Sequence, residues 1–334
     1  MSIQTLQKTS SESGRSERLS TIALRRWFGY AALGAVLLVF VLGSPYFLSG
    51  QNLATILSQA AVTGIAGVGL AVVIINGGDD VLNGGIDLSN GAVAGLAGMT
   101  TALLSAHGHS AIVAVAGGIT VALIIGSVNG VCVLLGLRPL LATLATMGIA
   151  TSLELVLSQN IKIGLEDPFL IALRDASWLG IPIAAWVLFA VGMLGWWGFG
   201  RTRWGVNCYA TGQNPVAAEV CGVSPKRYRF GSYIIGSALA GVAGVLLLTR
   251  LSAAVPGIGT QILLDIILVA YMSTIFSRRR LVSVPGTVLA ALFVAALGNG
   301  LTLLGVASQW VSGAKGALIL LVLASMTLRG RSRV

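Results

Sequence analysis

Residues 88–137 and 281–314 contain no aspartate, glutamate, lysine or arginine. That feature constrains the fold more than any motif. An apolar helix of about 20 residues crosses the hydrocarbon core of a bilayer. Within that core only a helix or a closed barrel satisfies its own backbone polar groups. A soluble globular protein carries about 25% charged residues, whereas this chain of 334 residues carries 10% and is 55% hydrophobic. The pattern predicts an all-α, polytopic membrane protein.

Apolar runs separated by polar or Gly/Pro-rich breaks predict about ten spans, at 28–44, 53–75, 90–106, 111–136, 140–158, 181–199, 230–249, 262–277, 284–305 and 310–328. The net charge of +10 raises the question of nucleic acid, and its placement answers it. Basic residues cluster at Arg25 and Arg26, at Arg138, from Arg201 to Arg229, at Arg278 to Arg280 and from Arg329 onward. Each cluster sits beside a span on what ten crossings make one side, as the positive-inside rule requires of cytoplasmic segments. We expect no nucleic-acid partner, both termini in the cytoplasm and membrane lipid around the spans.

The expected organisation is a disordered polar tail at 1–26, one transmembrane domain at 27–328 with a cytoplasmic loop at 200–229, and a basic tail at 329–334. "LRRWFGY" resembles a twin-arginine signal, but the apolar run behind it lacks a small-residue cleavage site, so we read an uncleaved first helix. Five spans precede residue 170 and five follow it. Since five is odd, two such halves lie in opposite orientations, as inverted repeats do. The GxxxG spacing of "GAVAG" at 91–95 suits close helix packing first and a translocation path second.

A charge at membrane depth costs about 2.5–3.5 kcal/mol on insertion scales, so each one needs a partner or a use. "NGGDDVLNGGIDLSNG" at 76–91 breaks two apolar runs. Asp79 and Asp80 read as solvated turn residues. Asn83, Asp87, Ser89 and Asn90 are candidates for the substrate pathway, with the turn reading open beside it. Asn129, Thr143, Thr146 and Asn299 are further pathway candidates, whose plainer role is hydrogen bonding between helices. Glu154 either faces the interior or reaches the outer surface. Asp265, another pathway candidate, and Lys315 fall at similar depth, so they either pair or reach headgroups separately.

No catalytic constellation is present: there is no GxxxxGK[ST] phosphate loop, no HExxH and no nucleophile elbow. The chain is expected to be no enzyme and to bind no cofactor or metal. "HGH" at 107–109 reads as a solvated loop, and Cys132, Cys208 and Cys221 show no CxxC spacing.

The segment "RTRWGVNCYATGQNPVAAEVCGVSPKRYRF" at 201–230 is polar between two spans. Asn214 is placed as an N-cap, Pro215 at the first helical position and Gly222 at the stop. A helix of about two turns does not stand alone, so its own spans or a partner must hold it. Ala217, Ala218 and Gly222 match the A-A-x-x-x-G core of the coupling loop in permease subunits of bacterial ATP-binding-cassette importers. "GGIDLSNGAVAGLAG" at 84–98, "RPLLATLATMGI" at 138–149, 209–259 and "PGTVLAALFVAALGNGLTLLGV" at 285–306 resemble the ribose-type monosaccharide branch. Val216 replaces the usual opening Glu, and "YMSTIFSRRRLVSV" at 271–284 lacks the expected glycines.

The resemblance implies a type II importer-like fold in a bacterial inner membrane and a second permease copy, identical or related. It also implies a periplasmic solute-binding protein and a cytoplasmic ATPase that handles ATP and Mg2+. Asn214, Pro215, Ala217, Ala218, Glu219 and Gly222 would form the contact with that ATPase. Branched-chain amino-acid permeases share the segment, and an ion-coupled secondary transporter using Asp87, Glu154 or Asp265 is the rival of a different class.

Overall fold

The computed structural model describes residues 30–31, 33–78, 85–277 and 279–330, with the backbone alone at 323–330. Asp79, Asp80, Asn83 and the tails at 1–26 and 331–334 lie outside the described residues. The first half holds α1 (Leu33–Gly43), α2 (Gly50–Gly77), α3 (Asn90–Ala106), α4 (Ala111–Leu134) and α5 (Pro139–Ser158). A connecting region follows, with β1 (Ile163–Gly164), α6 (Pro168–Asp175), β2 (Ser177–Trp178) and β3 (Ile181–Pro182). The remainder is α7 (Ile183–Arg201), α8 (Arg203–Gln213), α9 (Pro215–Val220), α10 (Pro225–Leu251), β4 (Ala253–Ala254), α11 (Ile258–Phe276), α12 (Val284–Leu303) and α13 (Ser308–Gly330).

Among the described residues, the centre of each expected apolar run lies on a helix. Seven of the described helices, α2, α4, α5, α7, α10, α11 and α12, are long and apolar enough to cross a membrane. The protein is an all-α polytopic membrane protein with two small antiparallel strand pairs, β1 with β4 and β2 with β3. Several helices outrun their apolar stretches. α10 begins at Pro225, with Ser224 at the N-cap position and no side-chain capping bond, so "PKRYR" opens the helix, because Pro at N1 is already set for a helix.

The core sits around α2, whose most apolar window is 89% buried, so protein and not lipid surrounds this helix. α2 packs against α7, α10, α11 and α12, while α10 packs against α2, α3 and α4. α3 also lies on α5, and α11 on α13. α4, α5 and α7 turn Ile112, Ile124, Leu141, Val156, Phe189 and Leu194 outward, a surface suited to hydrocarbon. Small residues bring the central helices together. A Cβ added at Gly91 would strike the carbonyl of Gly259, and one at Gly259 would strike that of Gly91. Gly95, the second glycine of the GxxxG pair, lies against the Glu154 carboxyl. The spacing therefore serves close helix contact.

The connections sort to two faces. On one, Asn76 Nδ2 near the end of α2 donates to Thr211 Oγ1 in α8 at 2.7 Å, and the Tyr209 hydroxyl donates to the Val282 carbonyl at 3.0 Å. On the other, β1 pairs with β4 through Ile163 opposite Ala254, and Arg174 Nη1 of α6 donates to Ser252 Oγ at 2.7 Å. The stretch 159–180, between the expected spans 140–158 and 181–199, thus carries a helix and strands.

Candidate functional site

The break between α2 and α3 positions the first group of side chains. Gly85 sits against the Val73 carbonyl, so the chain runs back beside the last turn of α2 before α3 starts. There the Asp87 Oδ1 accepts from the Ser89 N–H at 2.9 Å and the Ser89 hydroxyl at 2.6 Å. Asn129 Nδ2 of α4 donates to Ser89 Oγ at 2.8 Å, and the Thr146 hydroxyl of α5 donates to Asn129 Oδ1 at 2.6 Å. Thr143 Oγ1 accepts from the Leu88 N–H at 3.2 Å. Asp87, Ser89, Asn90, Asn129 and Thr143 are all fully buried. Five of the sequence candidates therefore meet in one network that ties the break to α4 and α5. Asn90 joins them in burial, with neither side-chain polar atom bonded among the described residues.

Such a network is costly to cut, because an orphaned buried donor loses its hydration without replacement. Asp87→Ala, which strips the Ser89 N–H and hydroxyl of their acceptor, is expected to cost about 1–3 kcal/mol of stability. Asp87→Asn keeps one acceptor oxygen and should cost less. Thermal unfolding in detergent measures both, and an unchanged midpoint for Asp87→Ala would contradict the fastening role.

Asp265 and Asn299 lie elsewhere. They line a cavity of about 350 Å³ between α2, α10, α11, α12 and α13, toward the β1–β4 face. Lys315 Nζ donates to Asp265 Oδ2 at 2.7 Å. Each is the eighth residue of its helix, counted from Ile258 and Ser308, so equal depth becomes an ion pair. Gln59, Thr63 and Thr302 add amide and hydroxyl groups to the lining, and Asn299 Oδ1 is buried without a partner among the described residues. Sequence reasoning passed over Gln59 and Thr63 inside an apolar span, although their i, i+4 spacing marks one polar helix face.

A second cavity of about 510 Å³ lies farther toward the same face, between the start of α2, α6, the β2–β3 hairpin and the end of α10. Its rim is stiffened by Arg174, whose Nε and Nη2 donate to Asp175 at 2.7 Å each. Those hydrogen bonds hold the Asp175 carboxyl below the ordinary carboxylate range. Arg250 lines both cavities. Glu154 faces the interior, 1% exposed, and does not reach the surface. His107 and His109 are exposed, and His107 Nδ1 lies 2.7 Å from the Leu103 carbonyl.

On the opposite face the polar segment folds as α8 and α9. The Asn214 side chain accepts from the Ala217 N–H at 2.9 Å, and Pro215 opens the helix. Gly222, at φ 81°, takes the left-handed conformation, and the Val223 N–H reaches the Ala218 carbonyl at 2.9 Å. These are the cap, start and stop that the sequence placed. Ala218 is buried, while Ala217, Glu219 and Gly222 are exposed. Val216 and Val220, 71% and 85% exposed, stand four apart on one open side of the helix. α8, which precedes it, was missed because Arg203–Gln213 lacks a continuous apolar stripe.

The comparisons with known proteins bear on this arrangement. Residues 52–323 match the family model described as branched-chain amino acid transport system / permease component. The chain belongs to this permease family. It is 31% identical over 320 residues to the ribose import permease protein RbsC of Escherichia coli K12, covering 90% of this chain and 96% of that one. RbsC of Bacillus subtilis 168 is 32% identical over 297 residues, covering 86% and 89%. The D-allose transport system permease protein AlsC of Escherichia coli K12 is 33% identical over 300 residues, covering 87% and 88%. The matched residues 52–323 take in the α8–α9 segment and nearly all of the lining of both cavities.

Proposed function

We propose that this permease is the membrane subunit of an ATP-driven importer for a monosaccharide or a sugar-like polyol. The observation that carries the reading is the cavity lined by Gln59, Thr63, Asp265, Asn299, Thr302 and Lys315 inside a largely apolar bundle. Its volume of about 350 Å³ falls within the 300–1,000 Å³ or so usual for small-molecule sites. Amides, hydroxyls and an ion pair suit a solute rich in hydroxyl groups. The similarity to ribose and allose permeases supports sugar over branched-chain amino acids.

In this reading ten helices cross the bacterial inner membrane as two inverted halves, with both termini in the cytoplasm. The packing supports it: α10 lies on α3 and α4 as α2 lies on α11 and α12, and α3 meets α5 as α11 meets α13. A cytoplasmic ATPase, which binds ATP and Mg2+, receives α9 in a groove. A periplasmic solute-binding protein delivers the sugar to the opposite face, and a second permease copy completes the pathway. The chain itself performs no chemistry. Asp87, Ser89, Asn129, Thr143 and Thr146 hold the broken segment as access alternates, and the side chain of Asn90 beside them, unbonded among the described residues, is free to meet the solute.

Uptake of radiolabelled D-ribose and D-allose in cells lacking the chain tests the sugar assignment. At least one should fall tenfold or more and return on re-expression. If neither uptake depends on the chain, the sugar reading is overturned.

A further inference from the structure

Three cations line the two cavities, and two of them are occupied. Arg174 is held by Asp175 and Ser252, and Lys315 is held by Asp265. Arg250 has no hydrogen bond or ion pair among the described residues. It is the second-to-last residue of α10 and is shared by the outer cavity and the membrane cavity. An arginine that merely snorkels turns its head to the lipid headgroups. Arg250, though exposed at the helix end, lines two interhelical spaces. The inner cavity holds one acid against two bases, so it is electropositive.

We propose that Arg250 is the portal residue of the permease: solute passes from the outer cavity to the membrane cavity beside its guanidinium, which grips two adjacent oxygens. A planar guanidinium offers parallel N–H donors at the spacing of paired acceptors, and neighbouring sugar hydroxyls present such a pair. The unoccupied fork is then free for each arriving solute, while the Asp265–Lys315 pair keeps Lys315 from competing for it. The recognition half rests on the sugar-import reading; the portal half does not, because a portal between the two cavities would serve any solute.

The test uses the full importer in spheroplasts and two readouts. In a Gln59→Cys background, small thiosulfonate reagents of opposite charge report on the passage without any sugar. Relative to their rates with a free thiol, the anionic reagent should label the cavity cysteine about thirtyfold faster than the cationic one, since a unit charge at close range in water changes the two rates about fivefold each in opposite directions. Arg250→Gln should abolish that preference and Arg250→Lys should keep it. Uptake of D-ribose and D-allose then reads recognition. Arg250→Gln and Arg250→Lys should both fall about tenfold or more, since lysine lacks the fork. A preference unaltered by Arg250→Gln overturns the portal. A lost preference with uptake unaltered overturns recognition of the solute by Arg250. Absence of uptake of both sugars by the wild type, with the reagent preference present, counts against the sugar reading and leaves the portal standing.

Discussion

Replacing Val216 and Val220 together by aspartate should reduce uptake at least a hundredfold while the protein inserts and unfolds as the wild type does. Both side chains point away from the rest of the chain, so their loss leaves the permease's own packing intact. In the proposed complex they enter a groove of the ATPase. Fully burying a valine contributes about 1.5–3 kcal/mol, and two together exceed the roughly 2.7 kcal/mol that a hundredfold change represents. Two buried carboxylates would add a desolvation penalty. Ala218 gives a less clear answer, because it is buried within the chain and a large replacement there would also disturb α9 itself. Uptake assays paired with a membrane-insertion assay decide the matter, and wild-type uptake by the double variant would remove α9 from the coupling path.

The second large effect concerns Asp265 and Lys315. Asp265→Asn leaves the Lys315 ammonium in a cavity whose lining holds no other acid. Removing one partner of a buried pair costs about 3–5 kcal/mol, whereas removing both with groups of similar size is often neutral. The side chains are only 19% and 20% exposed, so solvent screens them weakly. Asp265→Asn should therefore lower the thermal midpoint sharply, and adding Lys315→Met should restore most of it. Additive losses in the double variant would mean that the pair contributes nothing as a pair.

The positions of the spans were legible because long charge-free stretches leave a membrane chain few alternatives. The centre of each apolar run lies on a helix, and 90–106 coincides with α3 from end to end. Helix ends were less legible, since α10 and α11 continue through polar residues that composition assigns to loops. Asn214, Pro215 and Gly222 could be read directly, because caps are local chemistry. The joining of Asp87 to Asn129 and Thr146 could not, because it depends on how α3, α4 and α5 cross. Each of these residues was visible alone as a polar group at depth. Arg250 stayed hidden because it looked like the ordinary polar margin of a span, and Gln59 because it lay within an apolar run, until the fold turned both toward a shared space. α6 and the strand pairs were missed because short elements on a membrane face owe their form to neighbours and not to periodicity.

The central claim is that ATP, used by a separate chain through α9, drives a sugar across this permease. Its most direct measurement is sugar uptake by proteoliposomes holding the importer purified in mild detergent, with the solute-binding protein outside. Liposomes are loaded with ATP and Mg2+, or given an imposed proton or sodium gradient without nucleotide. The account predicts uptake with internal ATP and none with either gradient alone. Uptake driven by a gradient in the absence of ATP would contradict it and make Asp87, Glu154 and Asp265 the residues of an ion-coupled carrier.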